Sequence, residues 1–216
     1  MIHVLSEKKS ILNQFIAEMR DVIIQKDSWR FRKNLERMGQ VAAYEISQSF
    51  EYEVRDTETP LGISKSYLPS EDIVLCTILR AGLPLHNGLL SFFDRAKSSF
   101  ISAYRQHHKD GTFEIKMNYV TCPNIKDSVL IVSDPMLATG ASMKKSLDAL
   151  LEYGTPKAIH VVTAIASASG ISHIQRHYPD IDIWVGAVDE ELTAKSYIVP
   201  GLGDAGDLAF GPKLQE

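Results

Sequence analysis

The chain is short of cysteine, with Cys76 and Cys122 the only two in 216 residues. Two thiols far apart in sequence make neither a disulfide framework nor a metal-ligand spacing. Cys76, inside Val74-Leu75-Cys76, reads as a small core residue. No apolar run approaches the roughly 20 residues that a membrane-spanning helix needs. Nor does Met1-Ile2-His3-Val4-Leu5-Ser6-Glu7 carry a basic stretch followed by an apolar one, so no secretory signal is expected. The expectation is a soluble, cytoplasmic protein without membrane contact. Positive charge is scarce too, with 23 Lys and Arg against 27 Asp and Glu for a net charge of −4. A chain of that sign is not expected to coat nucleic acid, although a local basic pocket for an anion is compatible with it. Internal repeats, low-complexity tracts and linkers are absent, which points to one domain over residues 1–216.

What is present is ordinary globular composition, 44% hydrophobic and 23% charged. A chain of this length buries roughly 70% of the surface that it exposes unfolded. Ile11, Leu12, Phe15, Ile16, Met19, Val22 and Ile23 share one face at helical period and predict a first helix over 8–26. Asp27-Ser28 is an N-cap signal for a second helix carrying Phe31, Leu35, Met38, Ala42 and Ile46. Residues 51–70 turn polar around Pro60, Gly62 and Pro69 and are expected as loop, with at most a short strand near 52–54.

The apolar run 73–79 suits a strand buried on both faces. A helix is expected over 85–93 and a strand over 99–104. Asp110-Gly111 marks a turn before the alternation Phe113, Ile115, Met117 and Tyr119, together an antiparallel hairpin projecting from the sheet. A buried strand over 129–132 precedes a helix carrying Met143, Leu147, Leu150 and Leu151, closed by Gly154 and Pro156. Strand 158–166, helix 171–177 and a strand with Ile181, Ile183 and Val185 complete the pattern. Strands alternating with helices mean an α/β fold, a mostly parallel sheet flanked by helices, with N-terminal helices and a projecting β-hairpin added.

The best site candidate is the passage from Ile131-Val132-Ser133 through Asp134, Pro135, Met136, Leu137, Ala138, Thr139 and Gly140 to Ala141 and Ser142. A buried strand ends in an aspartate, crosses a loop of small residues and opens a helix. Unpaired N–H groups at a helix start, at the positive end of its dipole, can hold a phosphate dianion. Thr139 and Ser142 add hydroxyl donors. The plainer reading is a strand–helix turn with Ser142 as N-cap. The ATP-binding Gly-Lys-Ser/Thr pattern is excluded because Ala141 follows Gly140.

A literal G-x-G-x-x-G occurs at Gly201-Leu202-Gly203-Asp204-Ala205-Gly206, but too little chain follows it for a dinucleotide unit. Those glycines read as a loop that needs positive φ or lets backbone approach a small ligand. Arg80, in Leu79-Arg80-Ala81-Gly82-Leu83 after a buried strand, can present a guanidinium to phosphate oxygens, or be a plain surface arginine. Arg105 carries the same ambiguity. His107-His108 reads as solvated hairpin, since neighbours in a strand point to opposite sides. Asp189-Glu190-Glu191 reads as a solvated loop rather than an acidic metal patch.

Three segments then resemble one family. Leu79 to Leu83, Asp134-Pro135-Met136-Leu137-Ala138-Thr139-Gly140, and Tyr197-Ile198-Val199-Pro200-Gly201-Leu202-Gly203-Asp204-Ala205-Gly206-Asp207 look like uracil phosphoribosyltransferase, a type I phosphoribosyltransferase. Phe210-Gly211 and the stretch from Phe31-Arg32 to Tyr44-Glu45 are similar too. The last of the three segments is the most specific, because other phosphoribosyltransferases share the phosphate loop but not that uracil loop.

The resemblance implies transfer of the phosphoribosyl group from 5-phospho-α-D-ribose 1-diphosphate (PRPP) to uracil, giving UMP and diphosphate, with Mg²⁺. It implies that Arg80 and Arg105 bind diphosphate and that Asp134 contacts the ribose hydroxyls. Residues Ala138, Thr139, Gly140, Ala141 and Ser142 would take the 5′-phosphate, within a PRPP site that also includes Pro135, Met136 and Leu137. Uracil would be read around Tyr197, Ile198, Gly203, Asp204 and Ala205, chiefly by backbone, with Asp204 also supporting Mg²⁺ or the ribose and counted with Arg80, Arg105 and Asp134 among the catalytic residues. It also implies a homodimer or larger homo-oligomer, with GTP a candidate effector.

The chain departs from the family pattern in places. Ala141 stands where the family usually has a second glycine, harmless if its φ is helical and strained if φ is positive. Pro84-Leu85-His86-Asn87 replaces a Gly-Met-acidic sequence, and Gln106-His107-His108 a more acidic one. Two rivals accompany the main reading. One is a phosphoribosyltransferase for another base. The other is a non-catalytic sensor of PRPP or UMP that regulates a partner such as RNA.

Overall fold

A computed structural model describes residues 1–107 and 113–213, with side chains described outside 103–116. The first part runs β1 (Ile2–Val4), α1 (Ile11–Arg20), α2 (Ser28–Ser47), β2 (Tyr52–Thr59), β3 (Gly62–Pro69), β4 (Ile73–Leu79) and α3 (Leu83–Leu90). The middle holds β5 (Lys97–His107), β6 (Phe113–Thr121), β7 (Val129–Ser133), β8 (Met136–Leu137), α4 (Ala141–Leu150) and β9 (Ala158–Ser167). The last part is α5 (Ala168–His177), β10 (Asp182–Asp189), β11 (Glu191–Leu192), β12 (Ile198–Val199) and α6 (Ala205–Phe210). The central sheet has the order β1-β10-β9-β7-β4-β5-β6, with β8 added on β9. Its pairs are parallel except β5 with β6, so the expected mostly parallel sheet is present.

Alternation along the central strands builds two cores, one on each face. Leu75 of β4 and Val129 and Ile131 of β7 pack toward Leu12, Phe31, Leu35, Met38 and Leu85 of α1, α2 and α3. Val74 and Cys76 of β4, with Leu130 and Val132 of β7, pack toward Met143, Leu147 and Ile174 of α4 and α5. Strands covered on both faces carry no polar stripe, which is why they read as continuous apolar runs. Cys76 is fully buried, as expected, and burial pushes its thiol up to about 12.

Two expectations are corrected. The first helix does not run over 8–26: α1 stops at Arg20 and a 3₁₀ turn, Ile24–Lys26, follows. Asp21 is the reason, since its Oδ1 accepts from the N–H groups of Ile23 (2.8 Å) and Ile24 (3.0 Å) and so competes with the helix. Residues 51–70 are not loop but the hairpin β2–β3, paired from Tyr52 with Pro69 to Thr59 with Gly62. Pro60 sits in its tight turn, where Thr59 Oγ1 donates to the Gly62 carbonyl and accepts from Leu61 N–H. Asp27 caps α2 as predicted, its carboxylate accepting from Arg30 N–H.

The other hairpin is β5–β6, whose antiparallel pairing reaches from Phe100 with Thr121 to His107 with Phe113. Its expected Asp110-Gly111 turn and His108 lie outside the described residues, and so do the side chains of Arg105 and His107. Among the described residues no helix is long and apolar enough to cross a membrane.

Candidate active site

In a parallel sheet the loops at the carboxyl ends of the strands share one edge, where ligands collect. Thr77 of β4 lies in register with Ser133 of β7, so these two adjacent strands end close together, while β9, in register with Ser133 at Val162, runs on to Ser167. Arg80 and Asp134 therefore leave the sheet from adjacent strands. Gly82 turns back tightly over the same edge. A Cβ there would lie 2.2 Å from Thr77 Oγ1, 2.8 Å from the Ile78 carbonyl oxygen and 2.9 Å from that of Ser133. Only glycine lets the chain after β4 start α3 so close to the sheet. The Leu79–Arg80 peptide bond is cis.

The loop from Asp134 to Gly140 is tied to β9 along its length. Asp134 N–H donates to the Val162 carbonyl, and the Pro135 carbonyl accepts from Ala164 and Ile165. Met136 and Leu137 then pair with Ile165 and Ala166. Ser167 Oγ donates to the Ala138 carbonyl (2.6 Å) and accepts from Gly170 N–H (2.9 Å), joining the loop to the start of α5.

Gly140, at φ +78°, is the N-cap of α4. Ser142 is therefore inside the first turn, which corrects the reading of Ser142 as N-cap. A glycine cap brings no side chain over the helix start, and Thr139 Oγ1 is 3.4 Å from Ala141 N. Ala141 is absent from the positive-φ residues and is the first residue of α4, so the helical alternative for it holds. Over the loop sits His173 of α5. Burial, then the nearby His177, Arg176 and Lys144, hold its imidazole below the ordinary range.

The third segment, after β12, folds against the first. Val199–Pro200 is cis, and Gly201 (φ +56°) and Gly203 (φ +95°) adopt the left-handed conformation that favours glycine. Asp204 caps α6, its Oδ1 accepting from Asp207 N–H at 3.0 Å while Lys213 Nζ lies 3.3 Å from Oδ2. Arg80 Nη2 donates to Asp207 Oδ1 (2.7 Å) and to the Gly211 carbonyl (2.8 Å). The structure thus brings Arg80 and the Asp204 loop together, with Asp134 issuing from the neighbouring strand.

Ile198 and Ala205 bury their side chains in the core, so they offer a ligand backbone rather than side chain. Tyr197 is half-exposed, beside a turn in which its N–H donates to Thr193 Oγ1. Arg105 lies in the part of β5 whose side chains fall outside the description.

One pair at this edge carries no signal in the sequence. Asp189, read as part of a solvated acidic loop, is buried, whereas Glu190 and Glu191 are exposed as expected. Arg20 donates to both its carboxylate oxygens at 2.8 Å and to the Gly201 carbonyl at 2.9 Å, while Asp189 Oδ2 accepts from Gly201 N–H at 2.9 Å. Burial opposes ionisation of Asp189, but the bonds from Arg20 and Gly201 outweigh it and hold the carboxyl below the usual range. No local signal could have found the pair, because its members stand 169 positions apart. Farther along, Arg32 donates to the Ala209 carbonyl and lies over the Phe210 ring, tying α2 to α6.

A family model for uracil phosphoribosyltransferase matches residues 6–212. A curated uracil phosphoribosyltransferase of Porphyromonas gingivalis is 51% identical over 99% of both chains. Another, from Thermococcus gammatolerans, is 39% identical over 97% of this chain and 93% of its own. The solved structure of a protein from Aquifex aeolicus covers 100% of each chain with a TM-score of 0.88 at 30% identity.

Proposed function

The chain belongs to the uracil phosphoribosyltransferase family, and from that premise we propose that it transfers the 5-phosphoribosyl group of PRPP to uracil, giving UMP and diphosphate in pyrimidine salvage. The C1–O bond to diphosphate breaks and its electron pair leaves with diphosphate, the bond from C1 to uracil N1 forms, and the N1 proton passes to solvent. A sugar carbon with oxocarbenium character in the transition state asks for two things: charge neutralisation on the leaving diphosphate, and a base held in line. No covalent nucleophile is required. Nothing in the comparisons supports the rival sensor or a different base.

The observation that carries the reading is the Arg80–Asp207 contact at 2.7 Å, which joins the turn after β4, the strand next to the one that leads into Asp134, to helix α6 of the C-terminal segment. In this reading Arg80 and Arg105 face diphosphate, and Asp134 takes the ribose hydroxyls. The segment Pro135 to Ser142 holds the 5′-phosphate on the N–H groups and hydroxyls of the α4 start. The backbone around Tyr197, Ile198, Gly203 and Ala205 reads the uracil edge. Cytosine, with a different donor pattern, would leave buried groups unpaired there and be rejected.

Mg²⁺ brought with PRPP would add positive charge beside the diphosphate. Among the described residues no three His, Cys, Asp or Glu side chains cluster as a metal site. Mg²⁺ keeps waters and substrate oxygens and needs only one or two protein carboxylates, and Asp204 has one oxygen, Oδ2, outside its cap of α6, 3.3 Å from the exposed Lys213. Asp204 is the carboxylate assigned to support it.

A homodimer or larger homo-oligomer in the cytoplasm completes the reading, with GTP as candidate effector. One face of hairpin β2–β3 exposes Tyr52, Val54, Ile63 and Tyr67, and a two-stranded hairpin is at best marginal in water without cover. A second copy of the chain would supply that cover, and sedimentation at micromolar concentration tests it.

The decisive assay follows UMP formation from uracil, PRPP and Mg²⁺, with cytosine, hypoxanthine and xanthine in parallel. Turnover with uracil alone is expected. Turnover with another base, or PRPP binding without turnover of any, would overturn the reading.

A further inference from the structure

Gly201 is the residue on which the C-terminal loop turns, and both of its backbone groups are bound by side chains from distant elements. Its N–H reaches Asp189 at the carboxyl end of β10, and its carbonyl accepts from Arg20 in the last turn of α1. The same Arg20 grips both oxygens of Asp189, so the three residues form a closed ring of hydrogen bonds. The turn has no slack on its inner side, because a Cβ on Gly201 would lie 2.2 Å from the Ile198 carbonyl oxygen.

We infer that Arg20 and Asp189 are positioning residues for the base, holding Gly201 so that the backbone groups of Ile198 and Gly203 on either side of it meet the uracil edge. The inference rests on the proposed reading of that loop as the uracil site, and neither residue is assigned a contact with substrate. Its physical basis is the directionality of hydrogen bonds. A flat base read by backbone groups is held only where donors and acceptors are aimed, and a displacement of about 1 Å forfeits the alignment.

A buried ion pair is a weak device for stability, since losing hydration offsets much of the attraction. The rigid fork of a guanidinium is well suited to fixing direction, because its donors leave in one plane at set angles. Here one fork orients the carboxylate and the peptide that the carboxylate also holds. On the other side of the site, the phosphate loop is tied to β9 and α5 and makes none of these bonds. A fault in the clasp should therefore be felt chiefly by uracil, which lies on the held turn, and far less by PRPP, which in this reading meets this segment only through Asp204 and Arg80.

The test is steady-state kinetics of Arg20→Ala, Asp189→Asn and the double variant, with calorimetric binding of PRPP to each. The uracil KM is expected to rise at least tenfold in each single variant. The PRPP KM and Kd should stay within twofold. The double variant should be no worse than the poorer single one, since both act through Gly201. Arg20→Lys, which keeps the charge but not the fork, should give an intermediate rise in uracil KM, and it carries the test if Arg20→Ala does not fold. A uracil KM within twofold of the parent, or uracil and PRPP constants rising together, would overturn the clasp. Failure of the underlying reading would look different, because the parent protein itself would then make no UMP from uracil.

Discussion

Arg80 and Asp207 are joined at 2.7 Å although they stand 127 positions apart, and the same guanidinium nitrogen holds the Gly211 carbonyl. The pair ties the turn after β4 to helix α6. Both side chains are more than a third exposed, so the bridge contributes little to stability, under about 1 kcal/mol. Arg80→Ala should accordingly fold almost as well as the parent in urea titrations. Its kcat/KM for PRPP should fall by about two orders of magnitude or more, as expected when a charge donor to a leaving group is removed. Unchanged kinetics would remove Arg80 from the diphosphate site.

Gly82→Ala is expected to act through packing rather than conformation, because its φ of −73° is open to any residue. The added methyl would meet two strand-end carbonyls and a hydroxyl that is itself bonded to Ser133. Overpacking of this kind costs about 1–3 kcal/mol. Urea unfolding should register the loss, and the PRPP KM should rise with it as Arg80 is displaced. A variant as stable as the parent would mean that α3 can shift away from the sheet.

Ala141 opens α4 with helical backbone. Ala141→Gly should therefore lower stability by about 0.5–1 kcal/mol through the greater freedom of unfolded glycine. Thermal or urea unfolding would check the sign. A gain in stability would show strain at this position.

His160 predicts a pH dependence at the opposite end of the sheet. Its Nδ1 accepts the Trp184 indole N–H at 3.1 Å, and Trp184 stacks on His3. Burial is the main cause that brings the imidazole down to about 4, with His3 and the terminal ammonium adding to it and Asp182 opposing. The unfolded chain takes up this proton near pH 6.5 and the folded chain only near 4. The stability that His160 contributes is thus complete above about pH 6.5 and is lost as pH falls toward 4, roughly 3 kcal/mol in all. Urea titrations at pH 7, 6 and 5 should show the decline, and His160→Gln, which can still accept from the indole, should flatten it. An equal slope in both proteins would assign the effect elsewhere.

Features that depend on near neighbours along the chain were legible without the fold. Continuous apolar runs at β4 and β7 disclosed strands covered on both faces, Asp27 disclosed a helix start, and the loop proposed for phosphate lay in one contiguous segment because a helix N-terminus is a local device. Periodicity did not disclose hairpin β2–β3, whose apolar side chains are interleaved with charges and whose proline and glycine serve a turn.

The long-range pairings emerge from folding alone. Arg20 with Asp189, Arg80 with Asp207 and His160 with Trp184 leave no trace in spacing, since a charge or a ring finds its partner through folding of the chain between them. Asp189 shows why: its two acidic neighbours are exposed, and burial beside a guanidinium gives the same residue type a different role.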